Sequence, residues 1–231
     1  MMKIFPKFAA IFLIFISLSA YAEDHKAEYS KLLIQLKTLF LGPGKNSTHY
    51  VFTPEELIQV AKMGEGSPLA ERWPAMLKKL QANHPNVYLA PTLHWIFNQA
   101  GNVTAEIAIV YASTHEYVAF FGTPIGGRGF SGRYPLSTVY DIMVAGTMQD
   151  FKPGDMQAEL YNHPGDMETL LLGIAKGMVY ADNTWMIDYS RGDLSSMFPY
   201  GIIAPALFQT LDYQNAIDEI KDAIDQILHN G

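Results

Sequence analysis

The sequence predicts an α+β chain that is mainly β, with short antiparallel strands closing into a barrel or sandwich and helices at both ends. Three observations lead to this. Short apolar and aromatic runs recur between about 93 and 190, separated by turn residues such as Gly101-Asn102, Pro153-Gly154 and Pro164-Gly165. The region before them carries apolar residues at helical spacing, together with helix-start residues. The region after them has two more helical patterns, and no internal repeat or low-complexity linker interrupts the chain.

The amino terminus reads as a targeting segment. Lys3 and Lys7 precede an apolar stretch, Ala9 to Ser19, and Ala20-Tyr21-Ala22 forms an A-x-A cleavage pattern before Glu23. The apolar run is short of the roughly 20 residues that span a bilayer. Residues 1–22 are therefore expected to be a cleaved signal peptide, giving an exported protein (periplasmic, secreted or in the lumen of the endoplasmic reticulum). An uncleaved membrane anchor is the alternative. Residues 23–91 form a helical region. Tyr29 to Phe40 is the first helix, with Gly42-Pro43-Gly44 as its stop. Thr53-Pro54-Glu55-Glu56 starts a second with an N-cap threonine, Pro in the first turn and Glu at the third position. Ser67-Pro68 starts a third, which Pro74 is expected to break or restart before it reaches about Gln81.

Strands are expected at 93–97, 103–111, 116–121, 137–148, 156–161, 168–172, 175–180 and 184–190, all within residues 92–192. Gly127-Arg-Gly129-Phe-Ser-Gly132 matches G-x-G-x-x-G, but Arg133-Tyr134-Pro135 leads to another strand rather than a helix, so it reads as a turn-rich loop and not a dinucleotide site. Residues 193–231 hold the closing helices, near 196–209 and 213–228. The run Met197 to Phe208 is apolar on every side, which suits a core helix, a cavity lid or a membrane-facing plate. In the last helix, Ala216, Ile217, Ile220, Ile224, Ile227 and Leu228 form a stripe. Asp218, Glu219, Asp222 and Asp225 lie off it, on a face expected to be solvated.

Composition excludes several classes of function. The 231 residues hold 16 Lys and Arg against 23 Asp and Glu, a formal net charge of −7. Loss of Lys3 and Lys7 makes the balance more acidic still, which argues against nucleic acid and anionic lipid surfaces as partners. Without cysteine there are no disulfides, thiolate ligands or thiol nucleophile. None of the seven histidines forms an H-x-H or H-x-x-x-H pair, so no metal or other cofactor is expected. No G-x-S-x-G elbow supports serine hydrolase chemistry. The sequons at Asn46 and Asn102 matter only in a host that glycosylates.

Two acids stand out. Asp188 is the only acid in Thr184-Trp-Met-Ile-Asp-Tyr-Ser-Arg-Gly192, and Asp141 the only charge in Val139-Tyr-Asp-Ile-Met-Val-Ala-Gly146. Asp is depleted in strands, and an unpaired carboxylate among such neighbours is costly to desolvate. Period-two counting places Asp141 with Val139 and Met143, and Asp188 with Thr184 and Met186. If these are inner faces, two carboxyls meet in an apolar cavity where at least one has a raised pKa. Such a cavity suits proton chemistry on an apolar substrate, or capture of an apolar cation. The alternative is that each Asp marks a bulge, an edge or a structural hydrogen bond.

Glu116-Tyr-Val-Ala-Phe-Phe-Gly-Thr123, Arg128-Gly-Phe-Ser-Gly-Arg-Tyr134, Asp141 and Asn183-Thr-Trp-Met-Ile-Asp-Tyr-Ser-Arg-Gly192, read together, resemble the family of the fungal sterol C-8 isomerase and the sigma non-opioid intracellular receptor. The resemblance runs from about Val51 to Asp212. It implies a cupin-like antiparallel β-barrel flanked by N-terminal helices, with an apolar cavity closed by two C-terminal helices. It puts Asp141 and Asp188 on the family's two cavity acids and Tyr117 on the tyrosine that hydrogen-bonds the second. Val103, Ile107, Ile109 and Phe121 fall on cavity-lining positions, as do Val139, Tyr180 and Phe198. Three departures accompany it. Asp188 is one methylene shorter than the family's Glu, one extra residue lies between Ser131 and Asp141, and the final helix is acidic where the receptor's is apolar.

The resemblance implies two functions. A sterol C-8 isomerase would move a ring double bond by protonation and deprotonation with Asp141 and Asp188. A receptor-like protein would hold a hydrophobic amine or lipid without catalysis, and a lipid carrier or assembly module is a third reading. Expected partners are a sterol-like or hydrophobic amine small molecule, with peripheral membrane contact and a homotrimer as features of the receptor branch.

Overall fold

The computed structural model describes residues 49–230. The signal segment, the helix at 29–40 and its glycine stop lie outside these residues. Helix α1 (Pro54–Ala61) starts as its cap signal requires: Thr53 is extended, and its side-chain oxygen accepts from the Glu56 N–H at 3.2 Å. Helix α2 (Leu69–Asn83) runs through Pro74 without a break, contrary to the sequence expectation. Pro74 forfeits one intrahelical hydrogen bond. Burial of Trp73, Met76, Leu77 and Leu80 offsets that loss. The buried Arg72 guanidinium adds bonds to the carbonyls of Ala61, Met63 and Val144 at 2.8, 3.0 and 3.0 Å.

The strands are β1 (Ile96–Asn98), β2 (Ala105–Ala112), β3 (Glu116–Thr123), β4 (Gly127–Phe130), β5 (Ser137–Ala145), β6 (Met148–Phe151), β7 (Glu159–Tyr161), β8 (Met167–Leu170), β9 (Gly177–Tyr180) and β10 (Thr184–Gly192). They form two antiparallel sheets, one ordered β1-β2-β3-β10-β5-β8 and the other β4-β9-β6-β7. The architecture is a two-sheet antiparallel β-sandwich, and among the described residues strand pairing does not join the two sheets into one closed barrel. The G-x-G-x-x-G segment supplies β4, an edge strand on β9, rather than a loop. Its glycines answer close packing: a Cβ on Gly129 would lie 2.2 Å from the Gly101 carbonyl oxygen, and Gly132, at φ +78°, sits against the Tyr200 ring.

Alternation along the central strands sorts their side chains. Phe120 of β3, Ile142 and Val144 of β5, and Ile187 and Tyr189 of β10 face α1 and α2 in one core with Phe52, Leu57 and Trp73. The intervening residues, Ala119, Phe121, Met143 and Met186, face the second sheet. Beyond β10 the chain turns through a 3₁₀ segment (Leu194–Ser196) into wide π-helical turns (Pro199–Ile203 and Pro205–Thr210), where a regular helix is expected from sequence. Helix α3 (Tyr213–Asn230) then packs on β1, β2 and those turns. No helix among the described residues is long and apolar enough to cross a membrane.

Candidate functional site

Asp188 and Asp141 are direct cross-strand partners in the β10–β5 pair. Opposed residues in an antiparallel pair share a face, and here it is the inner one. Both line a pocket that encloses about 950 Å³ counted out to its mouth, between the sheets and beneath α3 and the π-helical turns. Tyr117, Ile107, Ile109 and Phe121 line it, as do Val139, Tyr180 and Phe198, all on positions predicted from sequence. Val103 does not join them: it is buried behind the wall, against Gly127 and Gly129. Tyr134, Met178, Ile202 and Ala223 complete much of the apolar lining.

The two acids have different partners. The Tyr117 hydroxyl donates to Asp188 Oδ2 at 2.6 Å, while Asp188 Oδ1 is buried with no hydrogen-bond partner among the described residues. Burial pushes the Asp188 carboxyl up to about 7, with the Asp141 charge adding to the rise and the Tyr117 bond and Lys176 opposing it. Asp141, by contrast, is not the isolated acid its strand suggests. Lys176 Nζ donates to Asp141 Oδ2 at 2.6 Å and to Glu168 Oε2 at 2.5 Å, and stands 3.7 Å from Asp150 Oδ2. Glu168 is the cross-strand partner of Asp141 on β8, so Asp188, Asp141 and Glu168 form a row across three strands. Burial pulls the Lys176 ammonium down, but Asp141 and Glu168 outweigh it and hold the charged form. Burial also lifts Glu168, to about 7, against the pull of Lys176.

A third acid reaches the cavity from α3. Glu219, assigned by sequence to a solvated face, is 8% exposed and accepts from the Asn98 side chain at 3.3 and 3.4 Å. Burial raises it to about 8, with a further rise from Asp188. The face with Glu219, Ala223 and Gln226 is buried because α3 packs in a groove between the sheet edge and the π-helical turns, so the helix is covered on more than its isoleucine stripe. Asp222, on the outer side, pairs with His94 at 2.8 Å.

Glu168, Lys176 and Glu219 escaped the sequence reading of the site. The first two satisfy the criterion that singled out Asp141, a lone charge in an apolar run: Glu168-Thr-Leu-Leu-Leu172 and Ala175-Lys-Gly-Met-Val-Tyr180. Among the described residues, no group of three or more His, Cys, Asp or Glu side chains is arranged to hold a metal ion. The site offers a proton-bearing carboxyl, a paired carboxylate and apolar aromatic walls.

Comparison with known proteins follows the same lines. The family model described as ERG2 and Sigma1 receptor like protein matches residues 29–230. The protein erg2 homolog of Dictyostelium discoideum is 34% identical over 157 residues, 68% of this chain and 65% of that protein, so the chain spans just under two thirds of that relative's length. Sigma non-opioid intracellular receptor 1 of Xenopus tropicalis is 31% identical over 189 residues, 81% of this chain and 82% of the relative. An RmlC-like cupin from Shewanella frigidimarina superposes with a TM-score of 0.38 and 13% identity, over 47% of this chain and 90% of that one.

Proposed function

The chain belongs to the Erg2 and sigma-1-receptor-like family, and from that premise we propose that it is an intramolecular double-bond isomerase of the sterol C-8 type. The observation that carries the proposal is the register of β10 on β5, which puts Asp188 opposite Asp141 inside an apolar pocket. The reaction protonates one alkene carbon, forms a carbocation, and removes a proton from a neighbouring carbon. No atoms enter or leave overall. An acid still protonated near neutral pH, a second carboxyl beside it and water-excluding walls meet those needs. Asp188, raised to about 7, suits the first requirement. Tyr117 orients it, and the rings of Phe121, Tyr134 and Tyr180 offer π-faces to a cation.

The test is incubation of the full-length protein with an 8-ene sterol and analysis of the sterols recovered. A 7-ene product that depends on Asp188 supports the reading, and unchanged sterol under conditions where it binds would refute it. A second reading, a non-catalytic receptor for hydrophobic amines or lipids, is favoured by Asp188 Oδ1, a buried acceptor without a donor among the described residues. An ammonium could fill that place, and saturable amine binding without turnover would support this reading over the first.

Export and removal of residues 1–22 are part of the proposal, on the A-x-A pattern before Glu23. Amino-terminal sequencing of the protein from its native host should find Glu23 first, and an intact residue 1 on a membrane-bound form would establish the anchor instead.

A further inference from the structure

Lys176 is the one cation on the pocket wall among the described residues, and it is 1% exposed. Its position is clamped at the backbone, where its N–H donates to Ser131 Oγ at 2.9 Å and its carbonyl accepts from the Ser131 N–H at 3.0 Å. Its stem delivers the ammonium between Asp141 and Glu168, which β5 and β8 hold in register. Asp150 stands on the far side at 3.7 Å, and Lys152 approaches Glu168 from outside at 3.6 Å. Burying an ammonium among carboxyls is expensive, and apolar residues of similar volume often serve stability as well or better. A cation kept in a ligand-sized pocket therefore calls for an account of what it does to ligands.

We propose that Lys176 is the resident counter-cation of this cavity, pairing with Asp141 so that the pocket takes an uncharged polycyclic alkene in preference to an ammonium ligand. The inference rests on the reading of the pocket as a lipid site. An ammonium placed against Asp141 would lie beside the Lys176 ammonium, and like charges a few ångströms apart repel strongly in apolar surroundings. Burial lifts Glu219 to about 8 and Asp188 to about 7, so neither is a full charge near neutral pH, and Lys176, whose charge already acts on Asp188, would repel an ammonium placed there as well. A neutral hydrocarbon meets no such penalty, and the paired Asp141 needs nothing from it.

The experiment compares two probes, N,N-dimethyldodecylamine and cholest-8-en-3β-ol delivered from cyclodextrin, by equilibrium dialysis against full-length wild type, Lys176→Met, Lys176→Met/Glu168→Gln and Lys176→Arg. Lys176→Met leaves Asp141 free for a ligand cation. The double variant removes one charge of each sign, and carries the test if the single variant does not fold. The amine should bind the lysine-free variants at least tenfold more tightly than wild type, the sterol within about threefold, and Lys176→Arg should keep the wild-type preference. Amine affinity unchanged or weakened in the folded lysine-free variants, or Lys176→Arg behaving like them, would overturn the proposal. So would failure of both lysine-free variants to fold, which would make Lys176 a structural cation. Binding of neither probe to any protein would remove the lipid-site reading itself, a different outcome from binding of both without charge selection.

Discussion

Asp188 hangs from β10 with one oxygen on the Tyr117 hydroxyl and the other buried without a partner among the described residues, whereas Asp141 closes an ion pair with Lys176. The same side chain is thus an acid with a raised pKa at one position and a paired charge at its neighbour, a division that burial and partners impose. Asp188→Asn keeps an oxygen for Tyr117 and removes the acid, so the variant should fold and lose roughly 10²- to 10⁴-fold in turnover. Product analysis together with near-ultraviolet dichroism checks both halves, and lost activity accompanied by a collapsed spectrum would count against the assignment. Tyr117→Phe removes the bond that holds the Asp188 carboxyl down, so its pKa should move above about 7. In the proposed isomerisation Asp188 acts in its protonated form, so the basic limb of kcat/KM should move to higher pH, which a pH–rate profile measures.

Helix α3 illustrates how an element's surroundings override its pattern. The isoleucine stripe packs inward as its spacing requires, yet Glu219 is buried too, because a groove covers the adjacent face. The folded protein holds the Glu219 proton up to about pH 8, whereas an exposed glutamate releases it near pH 4.3. The associated stability is complete below that lower value and is lost as pH rises through about 8. Glu219→Gln should remove this dependence and gain on wild type by on the order of 2–4 kcal/mol between pH 5 and 9. Urea unfolding at the two pH values reads the difference, and parallel curves for the two proteins would show that Glu219 is not the buried acid described. At α1, Thr53→Ala removes the bond to the Glu56 N–H and should cost about 1 kcal/mol, readable as a lower urea midpoint at unchanged slope.

At the scale of the molecule, two sheets enclose the pocket while helices pack on the outside of one and across the opening. An occupant would bury apolar surface against both sheets and α3 at once, so it should stabilise the assembly as a unit. At a free concentration about 100 times its Kd, a ligand specific to the folded state adds about 2.7 kcal/mol. For a chain of this size that corresponds to a rise in Tm of roughly 5–10 °C, which calorimetry with and without the 8-ene sterol measures. No shift at saturating sterol would mean that the lipid does not enter the folded protein.

Much of the fold and half of the site were legible in the chain because they rest on local regularities. Alternation placed Asp141 and Asp188 each on a defined face of its strand, the Thr53 cap placed α1, and the family resemblance placed Tyr117 beside Asp188. Pro74 misled because a local rule about one hydrogen bond does not weigh the buried face that holds α2 together. The two lone acids, the residues that share a face with each along its own strand and the apolar character around them were determined by sequence alone, since side-chain direction follows from strand period. That the two faces meet was decided by the register of β10 on β5. Only the tertiary structure decided that Lys176 pairs with Asp141, that Glu168 joins the row and that Glu219 turns inward. Those outcomes depend on strand register and on what covers a helix, and both are set by contacts between residues far apart in the chain.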